Sequence, residues 1–90
     1  MNEQVLVYPV VVYPNSEGKF NLVLNDLALV TEGDSVEEAF VDMRNYLESY
    51  YKCAVQLDEE ISKPTPYSVV AKAKVKNLVI VLDLKLKSNN

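Results

Sequence analysis

Thr31-Glu32-Gly33-Asp34-Ser35-Val36-Glu37-Glu38-Ala39-Phe40 decides how this chain is read, because an extended stretch ends there and a long helix begins. Ser35 followed three residues later by Glu38 forms a capping box. The hydroxyl accepts from a free backbone N–H of the first turn, and the carboxylate reaches back to an N–H at the helix start. Asp34, Glu37 and Glu38 also sit at the positive end of the helix dipole. Beyond this start, apolar residues recur at Val36, Phe40, Met43, Leu47, Tyr50, Ala54 and Leu57. Steps of three and four put them on one face of a helix of about six turns. Glu48 and Lys52, four residues apart, form a favourable exposed pair.

Upstream lie three strands. Residues 5–13 are dominated by Val and Tyr, which suit a pleated sheet. Both alternating sets are apolar, Val5/Val7/Val11 on one side and Leu6/Tyr8/Val10/Val12 on the other, the pattern of a central strand covered on both faces. Pro9 has no N–H for a ladder, so a bulge or a locally unpaired position is expected there. Pro14-Asn15-Ser16-Glu17-Gly18 is a turn, and residues 19–24 return as a second strand with Phe20, Leu22 and Leu24 on one face. Asn25-Asp26 turns the chain again into a shorter third strand over 28–31.

Downstream of the helix, residues 58–66 break the pattern with acids and with Pro64 and Pro66. Residues 67–75 read as either an extended segment or a short helix. Residues 77–87 form the last strand, with Leu78, Ile80, Leu82, Leu84 and Leu86 on one face and Val79, Val81, Asp83 and Lys85 on the other. The tail 88–90 is expected to fray. The fold class is α+β: strand, strand, strand, helix, strand, in a mostly antiparallel sheet with the long helix on one face, all in a single domain over 1–90. Two hairpins set the third strand parallel to the first. The helix then reads as a right-handed crossover that lays the last strand parallel to the first.

Composition narrows the function. The chain is 49% hydrophobic and 24% charged, ordinary for a globular fold. Its single cysteine, Cys53, permits no intrachain disulfide and fits a reducing compartment. Met1-Asn2-Glu3-Gln4 lacks the basic leader of a secretory signal, and no apolar run is long enough to span a bilayer, so a cytoplasmic, non-membrane protein is expected. Histidine is absent, which removes the usual general base and, with one cysteine, an ordinary zinc site. No metal or other cofactor is expected. The net charge of −4 is uneven. Residues 1–60 carry twelve acids against Lys19, Arg44 and Lys52, whereas residues 61–90 carry Asp83 alone against six lysines. Phosphate contacts need a basic surface, so direct nucleic-acid binding by the whole domain is disfavoured, and the acidic part suits a basic partner.

This order of elements resembles the HicB family of antitoxins, which share a partial RNase H-like fold. The likeness rests on Tyr8-Pro9-Val10-Val11-Val12, on Glu17-Gly18-Lys19-Phe20-Asn21-Leu22, on the stretch from Asp26 to Ala39, and on Leu78-Val79-Ile80-Val81-Leu82-Asp83-Leu84. In the third of these, Thr31, Gly33, Asp34, Ser35, Glu37, Glu38 and Ala39 match the family's usual residues. Ala28-Leu29 stands where the family has Pro-Gly, so a different local turn is expected. Many members carry a DNA-binding segment after the last strand. This chain ends at Asn90, so the resemblance implies a form without that segment. It also implies a partner: a small basic mRNA-cleaving toxin of the HicA type.

Four groups of side chains are candidates for function. RNase H-like catalysis needs clustered carboxylates holding two divalent metals. The first strand has no acid and the last has only Asp83, so the chain is expected not to be an enzyme. Glu32, Asp34, Glu38 and Asp42, with Glu37, surround the helix start; they either cap and solvate it or dock a basic toxin. Tyr46 and Tyr50, one turn apart, either pack on the sheet or anchor the same interface. Lys72, Lys74, Lys76, Lys85 and Lys87 either guard the last strand against edge pairing or contact RNA. Finally, a single helix leaves one sheet face open. Val79, Val81, Asp83 and Lys85 on that side of the last strand are therefore expected to join copies of the chain in a homodimer or larger symmetric assembly. An orphan structural or regulatory homodimer without a toxin is the competing reading, and an RNA-binding module using the lysine-rich third is another.

Overall fold

A computed structural model describes residues 4–86. Strand β1 (Gln4–Pro14) is followed by β2 (Phe20–Leu24), a 3₁₀ turn over Asn25–Leu27, β3 (Leu29–Gly33), helix α1 (Val36–Gln56), a short helix α2 (Tyr67–Ala73) and β4 (Leu78–Leu86). The strand order is β3-β2-β1-β4, and each neighbouring pair is antiparallel.

The antiparallel β1–β4 pair corrects one expectation: α1 is not a crossover to a parallel strand. Twenty-one residues of α1 run about 32 Å. Residues 57–77 then carry the chain back before it enters the sheet. Leu78 therefore lies opposite Val12, at the end of the sheet where Gly33 pairs with Phe20 and Phe20 with Pro14. The rule of handedness applies only to parallel connections and does not bear on this one.

The two ladders of β1 differ in length. Its pairing with β4 runs from Gln4↔Leu86 to Val12↔Leu78, whereas its pairing with β2 covers only Val11↔Val23 to Pro14↔Phe20. Among the described residues, the first half of β1 thus has a strand on one flank only. Pro9 pairs with Val81 in unbroken register, so the expected bulge is absent. The unpaired flank lies instead on the β2 side, where a proline nitrogen forfeits no ladder bond.

Even-numbered residues of β1 face α1. Tyr8, Val10, Val12, Leu22, Leu24, Leu29, Leu82 and Leu84 are buried there with Ala39, Met43 and Leu47 of the helix. Each such aliphatic side chain contributes roughly 1.5–3 kcal/mol on burial, against about 0–1 kcal/mol for an exposed ion pair such as Lys19–Asp34. The core therefore holds the fold. The helix register differs from the sequence reading in its last turns. Tyr51 packs on the core, while Tyr50 and Leu57 are exposed. Ile61, on the returning segment, packs there with Tyr51. α1 stops because Asp58 turns left-handed at φ 56°, with Asp58 N–H donating to the Val55 carbonyl and Glu59 N–H to the Ala54 carbonyl.

The open segment 67–75 resolves as a helix, α2. It touches β1 and β4, and Lys74 beyond it lies 5.9 Å over the Tyr13 ring, on the sheet face opposite α1. Pro9, Val11 and Val79 of that face are buried. Asn77 Nδ2 ties the entry to β4 by donating to the Val12 carbonyl at 3.1 Å. The second face is therefore half covered by the chain itself.

The helix start is built as the sequence demands. Ser35 Oγ accepts from Glu38 N–H at 3.1 Å, and Glu38 Oε1 accepts from Asp34 N–H at 3.3 Å. Thr31 Oγ1 donates to the Ala39 carbonyl at 2.9 Å, fastening β3 to α1. Ala28 adopts φ 56° to close the 3₁₀ turn. Gly33 is required by proximity: a Cβ there would lie 2.7 Å from Ala39 N. Gly33→Ala is expected to cost about 1–3 kcal/mol by forcing β3 from α1. Chemical denaturation checks this, and an unchanged midpoint would contradict the packing described.

Candidate partner-binding surface

Arg44 fixes which way each flank of α1 points. Its guanidinium lies 3.5 Å from Asp83 on β4 and 5.4 Å from the centroid of the Phe40 ring. At about 100° per residue, Glu38, Asp42 and Tyr46 lie on the other flank, toward the β3 edge. Glu32, on β3 itself, and Asp34, just after it, complete an acidic border. All five residues are exposed. Glu38, Asp42 and Tyr46 thus share a flank with Glu32 and Asp34 beside the helix start, while Tyr50, one turn beyond Tyr46, lies near Tyr8.

Several of these acids have local work. Glu32 Oε2 accepts from Asn15 Nδ2 at 2.9 Å, Glu38 belongs to the capping box, and Asp34 lies 3.9 Å from Lys19 Nζ. Asn15 in turn shapes the β1–β2 turn, its Oδ1 accepting from Glu17 N–H and Lys19 N–H at 3.0 Å each. Capping and docking are therefore not exclusive at this border. Its acids are held in place by the turn and the cap while their charge faces solvent.

Tyr50 belongs to a second cluster, which the sequence does not signal. Tyr8 is fully buried, and its hydroxyl donates to the Ser62 carbonyl at 2.5 Å. Asp26 accepts from Thr65 twice, from the hydroxyl at 2.6 Å and the backbone N–H at 2.9 Å. These contacts strap the returning segment across the notch where β2 ends. Burial, then the nearby Asp26 charge and Tyr50, raise the Tyr8 pKa above its ordinary value of 10.0.

The residues expected to join copies divide. Val79 is already buried within the chain. Val81, Asp83 and Lys85 are exposed on β4, an edge strand, beside Val5 and Val7 of β1, which are 48% and 45% exposed. An open groove of about 560 Å³ runs along the same edge between Arg44, Glu48, Lys52 and Lys85. Its mixed charges are set around no single ligand shape. Among the described residues, no three His, Cys, Asp or Glu side chains converge as a metal site, and no helix is long and apolar enough to cross a membrane. Lys87 lies outside the described residues.

No family model matches the sequence, and no curated protein matches it. Among solved structures, the chain is similar to the N-terminal domain of the antitoxin HicB from Burkholderia pseudomallei, with a TM-score of 0.73. The match covers 86% of this chain and 95% of that one, at 16% identity. The chain has a HicB-like fold. At this identity the likeness lies in the path of the chain rather than in its surface residues. The HicB-like sheet and helix are shared, while the acidic border and the β4 edge are read from this chain's own side chains.

Tyr8 yields a prediction in pH. Because its folded pKa is raised, the folded state keeps the proton after the unfolded chain has released it. The stability linked to this group is present below pH 10.0 and is lost as pH rises through the folded value. Tyr8→Phe is expected to cost roughly 1 kcal/mol at neutral pH by removing the bond to Ser62. The gap between variant and wild type should then shrink above pH 10.0 in thermal melts. A gap independent of pH would contradict the burial of the hydroxyl.

Proposed function

We propose that this chain is a non-catalytic, antitoxin-like binding domain that masks a small basic mRNA-cleaving toxin of the HicA type in the cytoplasm, without a cofactor. One observation carries the reading: a HicB-like fold whose β3–α1 border gathers Glu32, Asp34, Glu38 and Asp42 on one exposed edge. Complementary charge of this kind raises the rate of encounter with a basic partner and discriminates against acidic ones. Tyr46, half exposed one turn beyond Asp42 on the same flank, supplies an amphipathic ring at the end of the border.

The basic third of the chain gives RNA binding less support. Lys74 is drawn over Tyr13, Lys85 alternates with Asp83, and no run of exposed aromatics accompanies them. Single-strand binding uses such stacking platforms.

Asp42 is the best position for a test, because it takes no part in the cap. Asp42→Lys is expected to slow association with a purified small basic toxin of the HicA type by about tenfold at low salt, with little change in dissociation. Stopped-flow mixing over a salt series checks this. An association rate that matches wild type at low salt would contradict the proposed docking edge.

A further inference from the structure

The returning segment and α2 are held to the fold from outside the core. From Val55 to Leu78 no residue is buried. The core is built by the strands, the 3₁₀ turn and α1, and of the returning segment only Ile61 packs against it. α2 is seven residues long and buries none of them. A helix of that length does not sustain itself in water, so it persists only while docked. Its dock is slight. Beyond its end Lys74 lies over the Tyr13 ring, and Asn77 Nδ2 donates to the Val12 carbonyl. Segments with so few buried contacts open at a small fraction of the free energy that unfolds the whole chain.

We propose that residues 59–73 form a hinged cover, which lifts from the second sheet face as one unit while the sheet and α1 stay folded, and that the Asp26–Thr65 contact is the latch that sets how often it lifts. Two points tie the cover down. Tyr8 donates to the Ser62 carbonyl, and Asp26 accepts from both the hydroxyl and the backbone N–H of Thr65. The second tie is the stronger, because a carboxylate takes both bonds. Pro64 and Pro66 flank Thr65 and restrict Lys63 and Thr65 to extended backbone. The stretch 63–66 is therefore stiff. Release at Thr65 is carried to Ser62 on one side and to Tyr67, the first residue of α2, on the other. The pivots lie at the two ends: Asp58 with its left-handed φ of 56°, and the turn in which Asn77 N–H donates to the Lys74 carbonyl.

The cover divides an apolar strip. Val11 and Val79 lie opposite each other and are buried on the face that α2 touches. Val5 and Val7, in the same row of β1, and Val81 on β4 are exposed. Lifting the cover joins these valines across two neighbouring strands into one contiguous apolar face, which the closed form avoids presenting. α2 thus shields the middle of the strip, and the latch sets how long the whole of it meets solvent. The acidic border along β3 and the start of α1 takes no part in this, so the cover and the toxin-binding reading can fail separately.

Thiol labelling tests the cover in the full chain. Cys53 is exposed and is first removed by Cys53→Ser. Val11→Cys then sets a single thiol beneath the cover, where a maleimide reaches it only on opening. Thr65→Val keeps the shape of the side chain and the backbone bond to Asp26 but removes the hydroxyl bond, so labelling should quicken about tenfold. Amide exchange reads the same event with Val11 and Cys53 in place. Thr65→Val should speed exchange at position 65 and through α2 to Lys74 by one common factor, again about tenfold, while the amides of β1, β2 and α1 keep their wild-type rates. Labelling and exchange that ignore Thr65→Val would overturn the latch. A rise confined to position 65 would overturn the single unit. A rise shared equally by β1 and α1 would mean that the segment leaves only when the whole chain unfolds, which overturns the cover. Circular dichroism establishes that each variant is folded, and if Val11→Cys is not, the exchange rates alone decide. Asp42→Lys should leave both readouts unchanged.

Discussion

β1 is shared by two ladders of unequal length, and the rest of the structure follows from that mismatch. β4 pairs with nine of its residues, whereas β2 reaches only four at its far end. The first half of β1 therefore has an open flank, and something other than a strand has to cover it. The returning segment does so, held by the Tyr8 hydroxyl on the Ser62 carbonyl and by Asp26 on Thr65. The same segment delivers α2 to the second face, buries Val11 and Val79, and reverses the direction in which β4 enters. A longer β2 would fill the notch and leave no passage for this return.

The outcome is a sheet with two edges of different character. β3 is short, fastened to α1 through Thr31, and bordered by acids held in a turn and a helix cap. β4 is long, and its exposed row alternates opposite charges. The β3 edge suits a partner of opposite charge. The fold supplies the edges, whereas individual side chains assign them.

Much of this was legible in the sequence, and the reasons are local. Ser35 and Glu38 announce the cap, and the three-four spacing through Met43 and Leu47 announces the buried face of α1. Alternation along β4 separates Leu82 and Leu84 from Val81 and Asp83. The misreadings share a cause, which is contact between residues far apart in the chain. Nothing in Asp26 points to Thr65, thirty-nine residues away. Without that strap, the long helix looks like a crossover, and β4 is laid parallel to β1. Tyr50 keeps the helical spacing of a core residue, yet it stays exposed because Tyr51 and Ile61 fill the core at that level. Val79 looked available to a second copy because α2 could not be assigned to the face it covers.

Amide hydrogen exchange, followed strand by strand as a purified small basic toxin of the HicA type is added, tests the acidic border most directly. The account requires the amides of β3 and of the first turns of α1 to slow as the toxin is added, while those of β4, at the other edge of the sheet, exchange as before. Slowing at β4 with none at β3 or α1 would contradict it.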